Sequence, residues 1–122
     1  MADSTSFESD AGIRDVINLF KQVGECTALS VDEDDDLTFR FGTPGGAYVT
    51  AFWDLKPDID EYETVVDVYE QSDKGAASRL FKYVATAFDD KAVLRAPDSA
   101  EVIARASGGH IVWENNTSSG LN

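Results

Sequence analysis

Cysteine, histidine and cations are all scarce in this 122-residue chain, and each scarcity excludes something. One cysteine, Cys26, rules out an intramolecular disulfide and gives no sign of an oxidising compartment. One histidine, His110, means that any histidine-based acid–base or triad mechanism must run through it. No Gly-x-Ser-x-Gly elbow accompanies it, and it reads as a strand-edge side chain. Cys26 and His110 alone are too few for a zinc site, which takes three or four soft or imidazole ligands; carboxylates could complete one, but nothing in the spacing suggests it. Long apolar runs are missing too: none approaches the ~20 residues that cross a bilayer. Met1 to Asp10 is polar and acidic, without the basic and apolar regions of a signal peptide. The location these absences imply is cytoplasmic.

Lys and Arg number 10 against 23 Asp and Glu, giving a formal net charge of −13 and a pI near 4.2. A field of that sign repels phosphate, so neither direct DNA or RNA binding nor an anionic membrane surface is an expected partner. A basic protein partner would be steered toward it. Three explanations of the acidity stay open: a solvated surface, adaptation to molar salt (Asp dominates and Lys is scarce), and mimicry of a nucleic-acid surface or docking to a basic partner.

Hydrophobic residues make up 43% and aromatics 11%, enough for a core that offsets the entropy of ordering. One domain over residues 9–114 is expected, with flexible ends at 1–8 and 115–122. Ile13, Val16, Ile17, Phe20 and Val23 recur at helical spacing, which predicts a helix over about 10–23 with Asp10 as N-cap and Gly24 at its end. Cys26–Val31 has strand character. The acidic run from Asp32 to Asp36 reads as a turn, and Leu37, Phe39 and Phe41 then alternate as a strand. Thr43-Pro44-Gly45-Gly46 is a turn. Ala47–Asp54 is a third strand, with Tyr48 and Phe52 on one face and Val49 and Trp53 on the other. A fourth covers about 61–70.

From Asp73 to Phe88, the stripe of Ala77, Leu80, Phe81, Val84 and Phe88 predicts a second helix. Lys91–Arg95 reads as a short strand. Asp98 and Glu101 have capping-box spacing, so 99–106 reads as a short helix ending at Gly108-Gly109, before a last strand from His110 to Glu114. The order α-β-β-β-β-α-β-α-β gives an α+β class, with a mainly antiparallel sheet and helices packed on one face.

Asp32, Asp34 and Asp36 have the one-three-five spacing of a calcium loop. The sixth position is Leu37 rather than Gly and the twelfth is Thr43 rather than Glu, so the pattern fails. Gly42-Thr43-Pro44-Gly45-Gly46 lacks the spacing and lysine of a phosphate loop. No catalytic residue, metal or cofactor is implied. Tyr48, Phe52, Trp53, Tyr62 and Tyr69 fall on neighbouring strands whose side chains alternate, so some must point away from the helices. They form either a second small core or a recognition patch. The candidate partner-binding residues are Tyr48, Phe52, Trp53, Asp54, Glu61, Glu63, Asp67 and Tyr69. The function expected from this set is a non-enzymatic protein-interaction module of inhibitor or immunity type. The alternative is a small-ligand binder or an enzyme using carboxylates and tyrosines in a sheet–helix pocket.

Overall fold

The computed structural model describes residues 4–33, 37–53, 62–97, 99 and 101–114. In chain order the elements are β1 (Ser4–Ser9), α1 (Ile13–Gln22), β2 (Thr27–Asp32), β3 (Thr38–Gly42), β4 (Tyr48–Trp53), β5 (Thr64–Tyr69), α2 (Ala76–Ala87), β6 (Ala92–Arg95), β7 (Val102–Ser107) and β8 (His110–Trp113). All eight strands join one sheet in the order β2-β3-β4-β5-β1-β6-β7-β8, every pair antiparallel. Both helices pack on one face. The class is α+β.

Each helix buries the stripe its spacing announces. α1 buries Ile13, Val16, Ile17 and Phe20, while Val23 falls at the C-cap and is exposed. The helix ends in a Schellman pattern: the Glu25 N–H reaches the Phe20 carbonyl at 2.9 Å and the Gly24 N–H that of Lys21 at 3.2 Å. Its N-cap is Gly12, without a side-chain cap, rather than Asp10. α2 buries Ala76, Ala77, Leu80, Phe81, Val84 and Ala85. The Glu70 carboxylate accepts the Ala77 N–H at 3.1 Å, satisfying an end donor that N-cap Gly75 has no side chain to meet.

The sheet face beneath is a continuous apolar layer of Phe7, Phe39, Phe41, Val49, Ala51, Val66, Val68, Leu94 and Ala104. Phe20 packs on Phe41 with ring centroids 5.7 Å apart, and Phe81 meets Phe7 edge-on at 6.0 Å. α2 lies across β5, β1, β6 and β8. β7 puts only Ala104 and Ala106 beneath it, which lets Phe81 reach Trp113 on β8 at 6.4 Å.

Two segments depart from the sequence reading. Residues 4–8, expected to be a flexible end, belong to β1, in the middle of the sheet between β5 and β6. Phe7 is its lone large apolar side chain, and it is fully buried. Polar groups that make the segment look disordered find partners: Ser6 Oγ donates to Asp67 at 2.5 Å, Ser9 Oγ accepts the Ala11 N–H at 3.0 Å, and Glu8 takes Arg95.

Residues 102–107, expected as a helix, form strand β7 instead. Val102 and Ile103 are β-branched and Ala104, Arg105, Ala106 and Ser107 alternate in and out, which satisfies a period of two. Gly108-Gly109 is therefore a two-residue hairpin turn between paired Ser107 and His110, with φ of +59° and +81°. That is the conformation the tightest hairpins require and glycine adopts at no steric cost. Asp98 of the supposed capping box lies outside the described residues, as do 1–3 and 115–122. The Glu101 N–H donates instead to Ser99 Oγ at 3.0 Å in the β6–β7 connection.

Candidate functional site on the open face of the sheet

Side-chain alternation, anchored by Phe7 against Phe81, assigns the outward face of every strand. Register then fixes rows across it. Ser4, Tyr69 and Tyr48 are in line, then Ser6, Asp67, Thr50 and Arg40, then Glu8, Val65, Phe52 and Thr38. The Tyr48 and Tyr69 rings lie 6.1 Å apart and tilted by 41°. Tyr48 is 41% exposed, Tyr69 and Phe52 half-buried. Four of the candidate residues, Tyr48, Phe52, Asp67 and Tyr69, therefore meet on one side of β4 and β5.

The others do not join them. Trp53 has the opposite parity and is 40% exposed at the end of β4. With Glu63 it lines a concavity of about 320 Å³ against Gly12, Ile13, Arg14 and Asp15, at the start of α1. Asp54 and Glu61 lie outside the described residues.

Among the described residues, the strands of the open face do not form the anionic surface expected from the composition. Its described strand carboxylates are Asp32, Glu8 and Asp67, and it also carries Arg40, Arg95 and Arg105. Arg95 donates twice to Glu8 Oε1, at 3.0 and 2.7 Å, across the β1–β6 seam, where both side chains are largely buried. Arg105 Nε donates to Glu114 at 2.5 Å in a more exposed pair. Other carboxylates sit on helices and connections, among them Asp15, Glu33, Glu63, Asp89, Asp90 and Glu101.

A second cavity, of about 380 Å³, opens over β6, β7 and β8, with Val93 and Val112 in its wall. Lys91, Arg105, Ser107 and His110 supply its polar groups, and Tyr62 borders it from the segment entering β5. The sequence does not point to this grouping, because reading 99–106 as a helix takes Arg105 off the sheet and leaves Ser107 in the turn after it. The Gly-Gly hairpin turn was the signal that could have found it.

The strongest ion-pair cluster lies at the edge of the helical layer. Arg79 on α2 makes bidentate pairs with Glu25 (2.6 and 3.1 Å) and Asp73 (3.1 and 2.6 Å). Thr43 Oγ1 donates to Asp73 at 2.5 Å and accepts the Ala47 N–H at 3.0 Å. Hydrogen bonds from Arg79 and then Thr43 hold the Asp73 carboxyl below the ordinary carboxylate range, and Asp73 and Glu25 push the guanidinium above its own. A Cβ at Gly45 would stand 2.6 Å from the Asp73 carboxyl carbon, so glycine is what lets the β3–β4 turn close on this cluster. It is fully partnered and reads as a clamp between turn and helix.

Burial pushes the Cys26 thiol up, partly offset by Lys21, which leaves it a poor nucleophile at neutral pH. Among the described residues, no three His, Cys, Asp or Glu side chains converge as a metal ion would need, and no helix is long and apolar enough to cross a membrane. No family model, no curated protein and no solved structure matches this chain.

Proposed function

We propose that this protein is a non-enzymatic interaction module, an inhibitor or immunity-like adaptor, which docks a protein partner on the open face of its sheet through Tyr48, Tyr69, Phe52 and Asp67. The observation that carries this reading is the one-sided packing of the helices, which leaves a paired-tyrosine cluster facing outward. Aromatic side chains with one wet edge are the usual anchors of protein interfaces. The balance of charges on the open face puts attraction to a basic partner in the whole-molecule field of −13, which acts on encounter more than on the final contacts. The same field disfavours nucleic acid. The lone thiol, Cys26, suits a reducing cytoplasm.

The acidic composition also supports a salt-adapted protein, whose self-repulsion is relieved by molar KCl. The alternative of a small-ligand binder draws support from the two open cavities.

Affinity capture from the source cells with the whole chain, at low and moderate salt, tests the docking reading. Wild type should retain a protein that the Tyr48→Thr/Tyr69→Thr double variant loses, with both proteins folded. Retention of the same protein by both, or of none at any salt, contradicts it.

A further inference from the structure

Basic side chains are rare here, ten Lys and Arg with one His in the whole chain, yet Lys91, Arg105 and His110 line a single cavity. In a chain of net charge −13, none of the described residues that line it is a carboxylate. These basic side chains are not used up by internal pairs. Glu114 takes Arg105 through Nε, and neither Nη group bonds to a described residue. Lys91 Nζ and the His110 ring make no hydrogen bond or ion pair with one either. The Ser107 hydroxyl stands beside them. The rest of the wall is Ala92, Val93, Ala106, Val112 (63% exposed) and Tyr62, apolar but for the tyrosine hydroxyl. A volume of about 380 Å³ falls within the span of small-molecule sites, which combine an apolar body with a few convergent polar groups.

We propose that this cavity is a binding site for a small organic anion. Arg105 and Lys91 hold its carboxylate or phosphate, with Ser107 and His110 donating alongside, and a flat apolar body lies on Val93 and Val112 beside Tyr62. A guanidinium offers paired donors matched to either oxyanion, and an ammonium adds a point charge. The site is separate from the tyrosine cluster on β4 and β5 and does not depend on the docking reading.

A titration of the full chain followed by amide chemical shifts tests it, with benzoate, phenyl phosphate, inorganic phosphate and uncharged benzyl alcohol as probes. Benzoate or phenyl phosphate should shift the Val93, Arg105, Ser107 and Val112 amides saturably, and the tighter of the two identifies the anion. Inorganic phosphate and benzyl alcohol should each bind at least about tenfold more weakly, since each lacks one half of the recognised group. The Lys91→Gln/Arg105→Gln variant should lose about tenfold or more in affinity. Val112→Glu, a change at an exposed edge position that puts a carboxylate in the cavity, should abolish anion binding. The proposal is overturned if no probe moves these amides, if benzyl alcohol matches the anions, or if either variant binds as wild type does.

Discussion

The two faces of the sheet are built from the same strands, residue by residue in alternation, and share almost no chemistry. The helix-covered face is apolar from Phe41 on β3 to Ala106 on β7 and is close-packed under α1 and α2. The open face mixes half-exposed rings, hydroxyls and guanidinium–carboxylate pairs, and holds the cationic cavity. On the docking reading proposed above, stability and recognition fall on opposite sides of one layer. A substitution on the first should be read in melting temperature, and one on the second in binding.

The largest effect should come from Phe81→Ala on α2, which empties the contact with Phe7 and Trp113 and should cost about 3–5 kcal/mol, measured by chemical denaturation. Phe7→Ala should fall in the same range, although residues 4–8 look dispensable in sequence. If Phe7→Ala is neutral, β1 is not the central strand and the comparison of faces loses its middle.

Next, Arg79→Ala should cost about 2 kcal/mol, because it leaves Glu25 and Asp73 unpaired and nearly buried; the part-exposed guanidinium keeps the figure below that of a fully buried pair. The sign with pH follows from the depressed Asp73 carboxyl. Its stabilisation is complete above the ordinary carboxylate range near about pH 4 and fades as pH falls through the lower folded value. Wild type should therefore exceed Asp73→Asn in stability at neutral pH, with the gap closing in acid. A gap that widens in acid would refute the assignment.

Smaller effects belong to the open face. Tyr48→Thr should change stability by less than about 1 kcal/mol, and Arg105→Gln by less than about 0.5 kcal/mol, while each removes a contact proposed for binding. A loss from Tyr48→Thr comparable to that from Phe81→Ala would mean the open face is itself a core. The smallest signal is Cys26: its alkylation by iodoacetamide should be slower in the native than in the urea-unfolded chain, because burial keeps the thiol protonated.

What could be read from sequence follows the same division. Periodicity locates elements whose apolar residues are many and whose other residues are polar, which is why α1, α2 and β3–β6 stand where spacing puts them. β1 carries one large apolar residue among serines, and its place depends on partners distant in sequence, Asp67, Arg95 and Phe81, that no local pattern reveals. β7 is ambiguous because alanine suits a helix, while Val102, Ile103 and the alternation of Arg105 and Ser107 suit a strand; pairing with β6 and β8 decides it. Half of the candidate site was legible because Tyr48, Phe52 and Tyr69 share parity on strands that read correctly. The cationic cavity was not, because it draws residues from four segments and one of those has the spacing of a helix.

Hydroxyl-radical footprinting of the purified chain, read by mass spectrometry, addresses the division of faces most directly. Tyr48 and Tyr69 should be oxidised readily and Phe7, Phe41 and Phe81 hardly at all. Tyr48 and Tyr69 as protected as Phe41 would show the outward side to be covered, and the recognition role assigned to it would fall.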